Sequence, residues 1–157
     1  LVVEICILAG GLSTRMGRDK ARLRLGGRPL LAHMRSQAGQ LGWPVRVLRR
    51  DAVPRCGPLG GVVTALRRTR AATVLFLSCD MPFVPAALMA RVLGKLGPKA
   101  KAAFVHEGGL AGFPFALRRE CLTPAEALVR GKQFSLQRLA ALLGARRVRV
   151  TRTEAPA

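Results

Sequence analysis

Residues 8 to 20 read Leu-Ala-Gly-Gly-Leu-Ser-Thr-Arg-Met-Gly-Arg-Asp-Lys, directly after the apolar run Val2-Val3-Glu4-Ile5-Cys6-Ile7. A glycine pair at the end of a buried strand lets backbone N–H groups approach an anion, because no Cβ stands in the way. Arg15 and Lys20 add the positive charge that a loop of glycines cannot supply. A triphosphate is the polyanion that this combination suits. The spacing is neither Gly-x-x-x-x-Gly-Lys-Ser/Thr nor Gly-x-Gly-x-x-Gly, so the P-loop and the dinucleotide fingerprint are excluded.

Acids are scarce here, which makes their placement informative. The chain has 27 Lys+Arg against 8 Asp+Glu, and its only aspartates are Asp19, Asp51 and Asp80. Each sits beside glycine, proline or the end of an expected strand. Asp19 is placed to pair with Arg15 or Arg18 and order the loop. His33 is expected to be structural, and His106 ends a strand where it can reach a substrate.

These residues need a frame to bring them together. Residues 2 to 9, apart from Glu4, and residues 73 to 78, between Thr73 and Ser78, are apolar, as parallel strands buried on both faces are. Residues 10 to 28 are expected as a long Gly- and Arg-rich loop, and Pro29 opens a helix to about Leu41. Val45, Val47 and Leu48 form a short strand, residues 51 to 58 a loop, and residues 60 to 70 a helix. A helix over 85 to 96, a strand over 102 to 106 and a turn at Gly108-Gly109 follow. Residues 113 to 117 are a candidate strand, then come helices at about 124 to 130 and 135 to 143, and a basic strand over 147 to 151. Alternating strands and helices predict an α/β fold with a parallel sheet covered on both faces. Ligands of such sheets sit at the carboxyl ends of the strands. Gly10-Gly11, Asp51 and Asp80 all follow expected strands and should converge on that edge.

Composition narrows the classes. The 157 residues suit one domain, and a 50% hydrophobic content with mean hydropathy of +0.23 argues against disorder. Apolar runs are too short to cross a bilayer, and the first residues carry no basic segment or cleavage site of a secretory leader. The four cysteines form no Cys-x-x-Cys pair and only two histidines exist, so a structural zinc site is not expected. Free thiols fit a reducing cytoplasm. The formal charge of +19 invites a nucleic-acid reading. However, the cations are mostly arginine and scattered along the whole chain, and stacking aromatics are few.

The motifs carry a resemblance. Residues 8 to 20, followed by Leu25-Gly26-Gly27-Arg28-Pro29-Leu30, resemble the signature of nucleotidyltransferases with a Rossmann-like fold. Gly57-Pro58-Leu59-Gly60-Gly61 resembles that superfamily's second motif, and Cys79-Asp80-Met81-Pro82 its metal-binding motif. Gly10-Gly11 and the Gly-Pro-Leu-Gly-Gly string most resemble the molybdenum cofactor guanylyltransferases, whereas the related cytidylyltransferases usually carry Ala-Ala-Gly at the first loop. The likeness covers about residues 3 to 90, and more weakly residues 112 to 143.

The resemblance implies a single-domain Rossmann-like nucleotidyltransferase fold over residues 1 to 157, with a mostly parallel sheet and helices on both faces. It implies that the backbone of Leu8, Ala9, Gly10 and Gly11 contacts GTP, and that Lys20, with Arg15, stabilises the triphosphate. It places Asp51 in the guanine site, Gly57, Pro58 and Leu59 along the nucleotide, and Mg²⁺ on Asp80. The expected reaction is GMP transfer from GTP to the phosphate of molybdopterin or Mo-molybdopterin, with pyrophosphate leaving. A phosphate nucleophile is largely ionised near neutral pH and needs no general base. A monomer in the cytoplasm is expected, with transient contacts to molybdenum-cofactor proteins and no nucleic-acid or membrane partner. Alternatives are cytidylyl transfer, a sugar-phosphate or phospholactate acceptor, or a degenerate nucleotide-binding protein. Departures from the family pattern are the absence of asparagine, Gly112 in place of a common histidine or polar residue, and a segment over 148 to 157 without Asn-x-Asn-Thr-Pro.

Overall fold

In a computed structural model of the chain, the residues described are 2–9, 24–25, 28–49, 56–81 and 83–151, with only the backbone given at 24–25 and 28–30. In chain order the elements are β1 (Val3–Leu8), β2 (Arg24–Leu25), β3 (Arg28–Pro29), α1 (Leu30–Gly39), β4 (Val45–Leu48), α2 (Pro58–Arg68) and β5 (Thr73–Ser78). They continue with α3 (Ala86–Leu96), β6 (Ala102–Glu107), β7 (Leu110–Arg118), α4 (Leu122–Arg130), α5 (Leu136–Leu142) and β8 (Arg146–Arg149). A single 3₁₀ turn, Arg119–Cys121, joins β7 to α4.

One sheet of six strands runs in the order β4-β1-β5-β7-β6-β8. All but β7 point the same way. The central strands β1 and β5 are apolar because each covers a helix layer on both sides. Ile5, Ile7, Leu75 and Leu77 pack on one face against Leu31 and Met34 of α1 and Leu88, Met89 and Val92 of α3. Cys6, Val74 and Phe76 pack on the other against Leu59, Val62 and Val63 of α2, Ala125 of α4 and Leu139 of α5. The expected α/β layering therefore holds.

The reversal at β7 comes from a two-residue turn. Gly108 and Gly109 have φ of 56° and 79°, and Glu107 pairs with Leu110 across them. Positive φ at both central positions is the turn geometry that matches strand twist, and glycine adopts it without a Cβ clash. The sheet is thus mostly parallel, as expected, with β7 as its one antiparallel strand. Three differences concern boundaries. The expected 10–28 loop contains the short β2–β3 pair, so Pro29 lies in β3 and α1 starts at Leu30. Helix α2 starts at Pro58 and not at residue 60. Strand β7 begins at Leu110 and not at residue 113.

Candidate active site

Three parallel strands stop on one line. Leu8 of β1 is in register with Leu48 of β4 on one side and with Ser78 of β5 on the other. The main chain stays knitted just past that line. The Ala9 N–H donates to the Leu48 carbonyl at 2.8 Å, and the Cys79 N–H to the Leu8 carbonyl at 3.1 Å. The segments that lead to Gly10-Gly11, to Asp51 and to Asp80 therefore leave the sheet side by side.

Asp80 is exposed at this edge. The Ser78 hydroxyl donates to its Oδ1 at 2.6 Å. A tight turn in which the Met81 N–H donates to the Ser78 carbonyl at 3.1 Å fixes the backbone between them. One carboxylate oxygen is thus oriented by the strand end that carries it, while Oδ2 takes no partner among the described residues. Neighbouring Cys79 turns inward and is buried with Ile5 and Ile7, so it holds position and does not face the edge. No cluster of three His, Cys, Asp or Glu side chains able to hold a metal exists among the described residues. The donor set at Asp80 fits Mg²⁺, which uses one or two carboxylates and completes its shell with water and phosphate oxygens.

The second motif begins α2. Gly57 is the N-cap with φ 58° and ψ −148°. A Cβ built there meets nothing within 4 Å, so the positive φ and not close approach is what calls for glycine. Pro58 stands in the first turn, where its missing N–H costs nothing. Leu59 is fully buried and anchors the helix start on the sheet. Gly57 offers no side-chain cap to the first N–H groups of α2, whose positive end follows the β4–α2 connection.

The structure thus places Leu8, Ala9 and Asp80 at one edge, and Gly57, Pro58 and Leu59 at the start of α2. Gly10, Gly11, Arg15, Lys20 and Asp51 lie outside the described residues. His106 is at the carboxyl end of β6 with Nδ1 3.2 Å from the Phe104 carbonyl. Sequence reasoning missed Ser78, although a hydroxyl two residues before the acid at a strand end was a readable signal. No helix among the described residues is long and apolar enough to cross a membrane.

Residues 5–49 and 35–150 match the family described as MobA-like NTP transferase domain. The chain is 35% identical over 163 residues to a molybdenum cofactor guanylyltransferase of Xanthomonas euvesicatoria, covering 94% of this chain and 83% of that protein. It is 36% identical over 164 residues to a probable molybdenum cofactor guanylyltransferase of Opitutus terrae, covering 92% and 81%. A match to the Shewanella frigidimarina molybdenum cofactor guanylyltransferase, 34% identical over 111 residues, covers 60% of this chain and 57% of that protein. Among solved structures, molybdopterin-guanine dinucleotide biosynthesis protein A from Archaeoglobus fulgidus superposes with a TM-score of 0.72 at 16% identity, covering 93% of this chain and 83% of that one. Rv0371c of Mycobacterium tuberculosis in complex with manganese gives 0.62 at 20% identity, covering 95% and 88%. At these identities the structural likenesses establish the fold alone.

Proposed function

Because this chain belongs to the MobA-like NTP transferase family, we propose that it transfers GMP from GTP to the terminal phosphate of molybdopterin or Mo-molybdopterin. An acceptor phosphate oxygen bonds to the α-phosphorus of GTP. The bond from that phosphorus to the bridging oxygen breaks, and pyrophosphate leaves with the electron pair. Negative charge crowds the reacting centre, so alignment and counter-charge are what the protein must provide.

The observation that supports this reading is the shared line of Leu8, Leu48 and Ser78, from which the segments that lead to Gly10-Gly11 and to Asp80 leave adjacent strand ends. The backbone from Leu8 to Gly11 and the start of α2 at Gly57, Pro58 and Leu59 cradle the nucleotide. Lys20 and Arg15 neutralise the triphosphate, and Asp51 recognises guanine. Asp80 holds a divalent cation, Mg²⁺ in the cell, which when bound screens the phosphate oxygens. Residues 1–157 act as one domain, as a monomer in the cytoplasm. The names of the Xanthomonas and Opitutus relatives support guanine over the other bases.

The test pairs ligand-induced thermal shift with pyrophosphate release. With Mg²⁺ present, GTP is expected to raise Tm more than CTP, UTP or ATP, since a ligand that binds only the folded state stabilises it. Pyrophosphate is expected only when GTP and molybdopterin are both supplied. Release with CTP in place of GTP would reassign the base, and no shift with any nucleotide would remove the enzymatic reading.

A further inference from the structure

We propose that Gln137 is a positioning residue for the acceptor half of the site: its side-chain amide fixes the free upper edge of β7 as a wall beside Asp80. This rests on the transferase reading above.

Phe76, Phe115 and Phe104 stand on one level of β5, β7 and β6. Pairing between β5 and β7 ends there, and Pro114, next in line, has no N–H to offer. Beyond this level β5 gives only two more residues before Ser78 ends it, whereas β7 continues through Ala111 to Leu110. Val105 faces Gly112 and His106 faces Ala111, so Phe113 and Pro114 are extra residues in the ladder and Ala111 stands about level with Ser78, two residues beyond Phe76. The β6–β7 hairpin therefore flanks the edge from which Asp80 departs, and its Glu107–Leu110 turn rises one residue pair beyond it.

Such an extension has an open flank. Glu107 and Leu110 close the two-residue turn, so they exchange the ladder bonds. The next pair, His106 and Ala111, directs its main-chain groups outward, and those of Ala111 face the side of β5, whose pairing with β7 ended at Phe76. Gln137 takes the place of that pairing. The Ala111 N–H donates to Gln137 Oε1 at 2.7 Å, and Gln137 Nε2 donates to the Ala111 carbonyl at 2.6 Å. Only a carboxamide offers one donor and one acceptor side by side in this way. The clamp is itself anchored, because Ser135 Oγ caps α5 by accepting from the N–H groups of Gln137 at 3.0 Å and Arg138 at 3.4 Å.

The wall stands where the second substrate must enter. The nucleotide segments leave β1, β4 and the start of α2, all on one side of β5 or its near face. β7 and β6 lie on the other side, with Asp80 between the two halves. Gly112 lies on the clamped stretch of β7, and a Cβ added there meets nothing within 4 Å, so its surface is open.

The experiment compares wild type with Gln137→Glu and Gln137→Met. Mg·GTP binding, read by calorimetry, is expected to be unchanged. The KM for molybdopterin is expected to rise about tenfold with kcat at saturating acceptor held within about threefold, the pattern of lost ground-state binding. Amide hydrogen exchange at Ala111 should accelerate. An unchanged acceptor KM with faster exchange would make the clamp purely structural and overturn the proposal. Equal losses of GTP affinity and turnover would overturn it as well. Gly112→Trp, placed where an added Cβ meets nothing within 4 Å, must also raise the acceptor KM; normal acceptor kinetics in that variant would count against the wall. Wild-type protein that transfers no guanylyl group at all would instead defeat the function on which the proposal rests.

Discussion

Asp80, exposed at the edge of the sheet, shares one carboxylate oxygen with the Ser78 hydroxyl. Asp80→Asn keeps the shape and removes the charge. Its kcat is expected to fall by at least ~100-fold, the scale of losing a preorganised electrostatic group, with weaker Mg·GTP binding. Guanylyl transfer within tenfold of wild type, measured across a magnesium series, would contradict the assignment. A second residue-scale expectation concerns pH. Cys121 is buried, and its thiol donates to the Lys101 carbonyl at 3.4 Å. Burial, with Glu120 nearby, outweighs the Arg118 backbone hydrogen bond and the charges of Lys101 and Arg118, and pushes its pKa from 9.0 to about 11. The folded chain therefore keeps this proton at pH values where the unfolded chain has lost it. The resulting stability is complete below pH 9 and is lost as pH rises towards 11. Urea titrations should show that decline, and Cys121→Ala should flatten it. In the native state at pH 8, iodoacetamide should leave Cys121 unlabelled.

At the scale of elements, the end of α4 shows a local conflict. The Lys132 N–H donates to the Val129 carbonyl and the Gln133 N–H to the Leu128 carbonyl, the paired bonds of a Schellman ending. Lys132 occupies the left-handed position at φ 56°, which glycine usually takes. Lys132→Gly should stabilise the fold by about 0.5–1 kcal/mol, the left-handed penalty less the entropy glycine loses on folding. A lower urea midpoint at unchanged m would contradict this. The same elements show what the residues disclosed before any coordinates. β1 and β5 were legible because their apolar runs have one physical use. Asp80 was legible because a scarce acid followed one of them. Ala111 and Gly112 were not, because the first half of β7 has small residues, and its pairing is completed by a side chain 26 positions away. Gln137 carries no local mark of that task. The start of α2 was misplaced although Pro58 marked the first turn.

The whole molecule carries a formal charge of +19, and two ion pairs, Glu4–Arg46 and Arg67–Glu126, join its described residues. Self-repulsion of this size opposes compaction, and salt screens it over about 10 Å at 0.1 M. Tm should therefore rise between 10 and ~200 mM NaCl in calorimetry; a fall would mean that attractive pairs dominate. The order β4-β1-β5-β7-β6-β8 has a further consequence. Each half of the sheet is contiguous in sequence, and the halves meet between β5 and β7 along four registered pairs. The seam is sealed by the Phe76–Phe115 stack at 5.0 Å and by the Arg118 guanidinium on Thr73 Oγ1 at 2.7 Å. Cutting the chain between Met81 and Phe83 would leave each fragment with a raw hydrophobic border. Each fragment alone should then be insoluble, while co-expression should return a soluble heterodimer whose assembly reports on that junction together with the helices that pack across it, α3 on β1 and β5 and α4 on α2.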